Sequence, residues 1–420
     1  MDDVLPLPPG PGESRLAQTV MLASDPLGVL RRLRSRFGPV FTVRSTNGPM
    51  VVIADAAELT RVAELDPGSA RAGEARRRVL PQASPRSVFG GDDEAHGEAS
   101  ARMYDMLTPS AIAAIEPEIT AIAARHAASW PRGRPFRLRV GLRDVADEVW
   151  VRLLLRPRTE ARADALVRAV RQLLRTPGNP PLPPPGAGLL GGGTTKLIER
   201  RLAPFADLVR TEIAERRAAG GAGADEGLLA IFAATDLTPD AVVEELTIVT
   251  GAATEATASG LTSVLERLAH HPELAQRFAE AGSGDPTFGP VVDESLRLRP
   301  VAMAAMRRLT VPLTLAGHAL EPGTVLMAPS LLLHRDPTQF AEPDTFRADR
   351  FKDGAFGPFF PFGGGARACI GRHLAEAELG NVVPAVLHSR TLRPLARGPE
   401  RLVERATILA PCRGALVTAA

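Results

Sequence analysis

The chain has 420 residues, of which 45% are hydrophobic, and this is enough to bury a sizeable core. Its 50 basic and 48 acidic residues leave a net charge of +2, so charge does not favour a nucleic-acid partner. Residues 1–15 begin acidic, contain four prolines and lack a long apolar run, so they resemble neither a signal peptide nor a membrane anchor. We therefore expect a soluble cytoplasmic protein that has no membrane partner, with a short disordered Pro-rich segment at about 1–15.

A helix and a hairpin are the first predicted elements. Apolar residues recur at helical spacing over 25–37, and Gly38-Pro39 ends that pattern. Residues 40–44 and 50–54 then predict a β-hairpin with Asn47-Gly48 at its turn, because this dipeptide readily adopts the backbone angles of a tight hairpin turn.

Helical patterns dominate the middle of the chain. An irregular stretch over about 65–92 is rich in Arg, Gly, Pro and Ser, and helical periodicity follows from about 93 to 280. The periodicity breaks at 176–193, where the density of Pro and Gly excludes a helix interior. This break could join two domains, but the apolar helices on both sides favour a loop within one fold.

The strongest helix prediction covers residues 239–268. Thr238 stands at the N-cap position, and Pro239 occupies the first turn, where its missing N–H costs nothing. After residue 300 the pattern changes to short apolar runs, turn residues and one glycine-rich loop. This combination indicates a mainly α, α+β fold with small peripheral sheets, in a single domain over 1–420.

The glycine-rich loop 358–371 reads PFFPFGGGARACIG and carries Cys369. Residues 370–379 predict a helix, so the cysteine would lie at a helix N-terminus, whose unpaired N–H groups favour a thiolate over a thiol. A thiolate ligand pushes electron density onto a haem iron and favours cleavage of dioxygen. A lone cysteine in such a loop would indicate a buried thiol or a tight turn. The loop does not indicate a nucleotide-binding site, because the sequence lacks the GK[ST] and strand–GxGxxG–helix patterns.

The loop resembles the haem-binding signature of the cytochrome P450 family. The match is Phe-x-x-Gly-x-Arg-x-Cys-x-Gly over residues 362–371. The resemblance extends over about 25–412 and is strong from 238 to 379 and weak before 93. It implies the cytochrome P450 fold, heme b (iron protoporphyrin IX) as the cofactor and the loop cysteine as the iron ligand. The cofactor-binding residues that it assigns in this loop are Phe362, Gly363, Arg367, Cys369 and Gly371.

A second motif supports the resemblance. Glu294 and Arg297 share a predicted helix at i,i+3 spacing, which alone would indicate an exposed ion pair worth about a few tenths of a kcal/mol. In the family, such a pair forms a buried triad with a later arginine. The segment 340–351 resembles the region that supplies it, so we expect Arg350 to be the third member, in a structural role that supports the haem loop.

Haem propionates need cations, and the resemblance assigns Arg307 and Arg367 to them. His96 stands where the family has a histidine on an early helix, but Ser100 occupies the position of the arginine that usually follows. Arg102 lies two residues further on, about 200° around a helix. Whether an arginine makes the missing contact therefore stays open.

Residues 252–273 resemble the central helix of the family. In the register that aligns its His-Pro-Glu sequence without a gap, Glu255 is the acid, and Ala256 replaces the alcohol that normally follows it. The acid–alcohol pair moves protons to dioxygen in the family, and alanine can neither donate nor accept a proton. Thr257 points about 100° away from Ala256 on a helix.

A rival register places Gly251 and Thr254 in the motif but requires a gap, so we favour the first. In the favoured register one face of the helix is small and apolar, which leaves room for haem and substrate. The residues of this face are Val249, Ala252, Ala253, Ala256 and Gly260.

Because the alcohol is missing, the sequence is compatible with several types of reaction. A substrate hydroxyl or an ordered water could replace it in an ordinary monooxygenase, and Thr257 could also suffice. Hydrogen peroxide could replace dioxygen, or the haem could catalyse an isomerisation, a dehydration or a cyclisation. Non-catalytic P450-like helper proteins are another class, but they lack the thiolate cysteine that this chain retains. We favour the monooxygenase, with Glu255, Ala256 and Thr257 as its distal catalytic positions.

The resemblance also implies a substrate class and partners. The segment 301–306 (VAMAAM) resembles the pocket-lining strand of the family and predicts an apolar small-molecule substrate. The stretches 65–92 and 176–193 match the substrate lids in position. Ferredoxin and ferredoxin reductase are the expected electron donors, because no flavin or ferredoxin domain is attached, and we expect a monomer. The arginine-rich composition suggests a GC-rich bacterial genome and, by association, natural-product tailoring.

Overall fold

Helices form most of the chain in the computed structural model, which describes residues 6–80, 83–174, 193–220, 227–354, 357–405 and 407–420. The α-helices of these residues are α1 Arg15–Ser24, α2 Pro26–Phe37, α3 Ala56–Ala63, α4 Ala72–Arg77, α5 Asp93–Tyr104, α6 Pro109–Ala113, α7 Glu116–Ser129, α8 Leu138–Val149, α9 Glu160–Leu174, α10 Gly193–Ala218, α11 Leu228–Ala233, α12 Pro239–Ala269, α13 Pro272–Ala281, α14 Phe288–Leu298, α15 Ser330–Leu333 and α16 Arg372–Ser389.

Short strands complete the described chain. They are β1 Val40–Ser45, β2 Gly48–Ile53, β3 Ala70–Arg71, β4 Phe136–Arg137, β5 Ala304–Leu309, β6 Leu313–Leu315, β7 His318–Leu320, β8 Val325–Pro329, β9 Leu392–Pro394, β10 Leu402–Arg405, β11 Ile408–Pro411 and β12 Leu416–Ala419. The largest sheet has the order β1-β2-β8-β5-β3, in which only the β2–β8 pair is parallel. The smaller sheets are β4-β12-β9, β6-β7 and β10-β11.

The helical core is built around α12. This helix packs on α8 and α16, and α7 packs on the same two helices from the other side, so the four form a bundle. The main apolar cluster runs through this bundle. A second cluster lies between α1, α2 and the large sheet and includes Leu30, Phe41 and Val52. The predicted mainly α, α+β fold is confirmed.

The predicted early and central elements are present. Helix α2 ends at Phe37, before Gly38, and β1 pairs with β2 across the Asn47-Gly48 turn. Helix α12 begins after Thr238, whose Oγ1 accepts a hydrogen bond from the Ala241 N–H at 3.2 Å. This is the N-cap contact that the sequence predicted.

Two expected irregular segments differ in the structure. The described part of the Pro-rich segment lies against β1, because Thr42 donates its N–H to the Pro9 carbonyl and its hydroxyl to the Pro8 carbonyl. Prolines lack N–H groups but keep carbonyls that a strand can bind, which the disorder prediction overlooked. The stretch 65–92 contains β3 and α4, so it is more regular than expected. Most of the expected loop 176–193 lies outside the described residues.

Candidate active site

The loop before α16 leaves Cys369 exposed. Gly363 and Gly365 have φ angles of 71° and 62°, which favour glycine, and the Cys369 N–H donates to the Phe362 carbonyl at 2.8 Å. Helix α16 begins three residues after Cys369, close to the predicted helix start. Because the turn folds back on Phe362, the sulfur is left exposed at the loop surface.

The Cys369 thiol has a pKa above its ordinary value. Although Cys369 is exposed, the protein atoms around it reduce the hydration of a thiolate and raise this pKa, while a hydrogen bond from the Gly371 N–H and the charge of Arg76 oppose the rise. The helix N-terminus alone therefore does not produce the thiolate that the sequence suggested. A coordinating metal ion deprotonates a thiol directly, so the thiolate would form when iron binds.

Arg307 lies close enough to Arg367 for its charge to lower the pKa of Arg367. Arg367 Nη1 donates to the Gly91 carbonyl at 2.9 Å, but its Nε and Nη2 are buried and have no hydrogen-bond partner among the described residues. The pKa values of both arginines are lowered, mainly by burial. Buried guanidinium N–H groups without partners are costly, so this arrangement favours an anionic ligand.

His96 joins this group as a neutral ring. Its Nδ1 lies 3.0 Å from the Val88 carbonyl oxygen, and its Nε2 lies 3.4 Å from the hydroxyl of Ser100. Burial and then the charge of Arg367 lower the pKa of His96. Ser100, which stands where the family has an arginine, therefore supports the histidine. Arg102 donates instead to the Arg86 carbonyl at 3.3 Å.

Arg76 is a cation of this site that the sequence analysis missed. It lies on α4, and its pKa is lowered to about 10 by burial and then by the nearby charges of Arg367 and Arg307. Its guanidinium carbon stands 5.6 Å from the centre of the Phe89 ring. Three clustered arginines with Asp92 as a nearby anion fit a cofactor with two carboxylates, which a haem has. The only sequence signal for Arg76 was the vacant arginine position at residue 100.

The expected buried triad is present beside the cysteine loop. Arg297 Nε donates to Glu294 Oε2 at 2.7 Å, and Arg350 Nε donates to the same oxygen at 3.0 Å. Arg297 Nη1 also donates to the His334 carbonyl at 2.9 Å, and the His334 ring accepts from the Phe360 N–H at 3.2 Å. The triad is thus connected through His334 to the start of the loop.

Helix α12 presents a small apolar surface at its middle. Ala252, Ala253 and Ala256 are partly exposed there, although α12 is the central helix of the core. Thr254 is completely buried, and its hydroxyl donates to the Thr250 carbonyl at 3.0 Å. The structure therefore directs the threonine of the rival register into the protein interior.

The two polar neighbours of Ala256 contact different helices. The two carboxylate oxygens of Glu255 form ion pairs with Arg139 and Arg143 of α8. Thr257 donates its hydroxyl to Glu378 Oε2 of α16 at 2.8 Å. The predicted distal residues are therefore adjacent in sequence but do not converge in space, and Glu378 was not identified from the sequence.

The segment predicted to line the pocket enters the large sheet. Met303 is buried, and β5 starts at the next residue, with Met306 opposite Met327 of β8. Ala304, Ala305 and Met306 remain partly exposed, as an apolar lining would. Across the described ranges, every helix is too short or too polar to cross a membrane, and clusters of His, Cys, Asp and Glu suited to a metal ion are absent.

Comparisons with known proteins all identify the same family. The family model described as "Cytochrome P450" matches residues 8–282 and 286–416. Cytochrome P450 135B1 of Mycobacterium tuberculosis is 29% identical over 428 residues, covering 98% of this chain and 91% of that protein. Cytochrome P450 137 of the same species is 27% identical over 426 residues, covering 94% and 86%.

Solved structures share the fold at low sequence identity. Cyanobacterial CYP120A1 with bound retinoic acid has a TM-score of 0.80 at 20% identity, covering 99% of both chains. CYP175A1 of Thermus thermophilus has a TM-score of 0.72 at 22% identity, covering 95% of this chain and 96% of that one. Taken with the family match, these results show that the chain belongs to the cytochrome P450 family, whose members are haem-thiolate monooxygenases that bind heme b.

Proposed function

We propose that this protein oxidises an apolar small molecule in the cytoplasm, as a monomer that takes electrons from ferredoxin and ferredoxin reductase. The observation that carries the proposal is the exposed Cys369 beside the three arginines Arg76, Arg307 and Arg367, to which Asp92 is a nearby counter-charge. Heme b bound there would supply the redox chemistry that activates dioxygen and transfers one oxygen atom to the substrate.

The protein residues have separate roles in this proposal. Cys369 would hold the iron, while Arg76, Arg307 and Arg367 would bind the two propionates through charge-assisted hydrogen bonds. His96, held in place by Ser100, presents its ring to the same side. The glycines of the loop allow the backbone to approach the cofactor closely, and the triad keeps the loop in position through His334.

The substrate class rests on the apolar lining. Ala252, Ala253 and Ala256 leave a shallow apolar surface on α12, and Met306 adds an adaptable side chain from β5. Two similar proteins bind or act on largely apolar molecules: CYP120A1 binds retinoic acid, and the steroid 21-hydroxylase of Lynx lynx is 37% identical over 161 residues, which are 34% of this chain. Natural-product tailoring is our proposed setting for such a reaction.

A spectrum tests the cofactor assignment. Reduced protein with carbon monoxide should show the red-shifted Soret band of a thiolate ligand, and Cys369→Ser should abolish it. Cys412→Ser is the matched control, because the other cysteine of the chain lies near the C-terminal strands and should leave the band unchanged. Colourless protein from cells supplied with haem precursor would instead indicate a helper protein without catalysis.

Ala256 supports a second candidate function. Since alanine cannot pass a proton, the protein could use hydrogen peroxide in place of dioxygen and reducing equivalents. Labelled dioxygen separates the two functions, with retinoic acid and a steroid as first probes. Label in the product supports the monooxygenase. Product formed with peroxide alone, and without label from dioxygen, would support the peroxide-dependent enzyme.

A further inference from the structure

The short segment 90–93 joins helix α4 to the cysteine loop. The Gly90 carbonyl accepts a hydrogen bond from the Arg77 guanidinium of α4. The next carbonyl, that of Gly91, accepts from Arg367 Nη1 of the cysteine loop at 2.9 Å. We call this segment the 90–93 junction. Because it contacts both parts, the position of α4 relative to the cysteine loop depends on it.

Asp92 of the junction binds the first turn of α4. Its Oδ1 accepts from the Gly73 N–H at 2.6 Å, and its Oδ2 accepts from the Glu74 N–H at 2.8 Å. The first N–H groups of a helix have no carbonyl of their own helix to bind. Arg71, the residue before α4, makes no capping hydrogen bond with its side chain. The carboxylate of Asp92 therefore caps α4 from a distant part of the sequence.

The contact between α4 and the junction is too close for any side chain at position 73. A Cβ atom added to Gly73 would lie 2.3 Å from the Gly91 carbonyl oxygen and 2.5 Å from that of Gly90. Both oxygens belong to the backbone, so they cannot turn aside as the end of a flexible side chain would. Glycine at this position therefore allows α4 to approach the junction closely.

Arg76 is the residue of α4 that faces the other arginines of the site. Its guanidinium has no hydrogen-bond partner among the described residues and stands 5.6 Å from the centre of the Phe89 ring. Burial lowers the pKa of Arg76, Arg307 and Arg367, and the charge of Asp92 opposes this lowering in all three. Asp92 therefore lies near these cations while both of its oxygens bind the backbone of α4.

We propose that Asp92 is a positioning residue for haem binding, because it fixes α4 so that Arg76 supplies the cation that the family has at the position of Ser100. The inference deepens the proposed function and rests on it, since Arg76 is a propionate partner there. Asp92 contacts the backbone of α4, so its effect on haem binding passes through Arg76. Ser100 cannot supply the missing charge and lies beside His96.

Two variants displace α4 in different ways. Asp92→Asn leaves one acceptor oxygen for two N–H groups, and Gly73→Ala keeps every charge but forces α4 away from the junction. Asp55→Asn is the matched control for the first, because Asp55 accepts from two backbone N–H groups at the start of α3, at 2.9 and 3.2 Å. Gly97→Ala is the control for the second, because a Cβ there would meet nothing beyond its own helix.

The first readout is the rate at which ferric haem leaves the loaded protein for apomyoglobin. Arg76→Met should speed this transfer about tenfold by removing a charge-assisted contact. Asp92→Asn and Gly73→Ala should speed it by about three- to tenfold, because they displace the guanidinium without removing it. When Arg76→Met is already present, Asp92→Asn should add less than about twofold, since no guanidinium remains to be positioned. Both control variants should transfer haem at the rate of the unaltered protein.

The second readout is the midpoint potential of the haem iron, which a general loss of stability would not change. A nearby cation favours the reduced iron, because that state carries one positive charge fewer. Gly73→Ala and Arg76→Met should therefore both lower the midpoint potential, and Gly97→Ala should leave it unchanged. Asp92→Asn is not suited to this readout, because the loss of its own negative charge shifts the potential in the opposite direction.

The outcomes separate the positioning role from the function on which it rests. An unchanged haem transfer rate in Arg76→Met would refute both the propionate contact of Arg76 and the role of Asp92. If Arg76→Met loses haem faster, the positioning role alone is refuted by an unchanged rate in Asp92→Asn, or by an equal effect of Asp92→Asn with and without Arg76→Met. Equal midpoint potentials in Gly73→Ala and Gly97→Ala would also refute it. If Gly73→Ala does not fold, the comparison of Asp92→Asn in the two backgrounds still decides.

Discussion

Replacing Glu294 with Gln should strongly destabilise the protein, because this one carboxylate neutralises two buried arginines. Glu294 and Arg297 are 0% exposed, and Arg350 is 7% exposed. Arg297 binds both carboxylate oxygens, at 2.7 and 2.9 Å, and the Arg347 N–H donates to Oε1 at 3.0 Å. Glutamine keeps the shape but leaves both guanidinium groups without a counter-charge.

Removal of one partner from a buried ion pair costs about 3–5 kcal/mol, and we expect the low end of this range because the amide oxygen still accepts hydrogen bonds. The matched control is Asp207→Asn. Asp207 pairs with Arg210 at the same i,i+3 spacing, but the two side chains are 73% and 46% exposed. An exposed pair is worth about 0–1 kcal/mol, so this variant should change the free energy of unfolding little.

Urea unfolding of the haem-loaded protein measures both variants, by far-ultraviolet circular dichroism and by Soret absorbance. Domains of this kind are stable by about 5–15 kcal/mol, so a loss of about 3 kcal/mol should lower the urea midpoint visibly. The Soret signal should be lost first in Glu294→Gln, because the triad reaches the cysteine loop through His334. Equal midpoints for the two variants would refute the reasoning.

Three further predictions concern other parts of the molecule. Arg76→Met should speed haem transfer to apomyoglobin about tenfold by removing one charge-assisted contact, and the exposed Arg86→Met should not. Folding raises the pKa of Glu378 from 4.5 to about 8, so the folded protein binds more protons than the unfolded chain between these pH values. The free energy of unfolding should therefore fall as pH rises across this window, by at most about 1.4 kcal/mol per pH unit. Urea titrations at several pH values should show a flatter slope for Glu378→Gln. Thr238→Ala should lower the free energy of unfolding in urea by about 1 kcal/mol, because it removes the hydrogen bond from the Ala241 N–H. An unchanged urea midpoint would show that this N-cap contact does not stabilise the protein.

Local patterns predicted the parts of the site that depend on neighbours in sequence. The cap at Thr238 and the positive φ angles at Gly363 and Gly365 are such features, since each follows from what one residue allows its own backbone to do. The Glu294–Arg297 spacing on a helix is another. Its burial, however, was expected from the resemblance to a family, because the same spacing on a surface helix is common.

The sequence could not reveal contacts made across long stretches of chain. Arg76 reaches Arg367 from a stretch that looked irregular, and no spacing rule connects residues so far apart. Glu378 lies in an unremarkable helical pattern, and only its burial gives it a proton to hold at neutral pH. The Pro-rich segment was expected to be disordered from its composition. Composition does not show that Thr42 of β1 donates hydrogen bonds to the carbonyl groups of Pro8 and Pro9.

The direction of a side chain matters more here than the identity of the residue at one aligned position. The alignment showed that Ala256 lacks a hydroxyl, and this alone suggests a defect in proton delivery. On a helix, however, residues one step apart point about 100° from each other, so Glu255 and Thr257 lie on opposite flanks of that alanine. One flank meets the arginines of α8, and the other meets a buried acid on α16. The two side chains beside Ala256 therefore differ in their partners because of their directions on the helix, which the sequence register alone does not give.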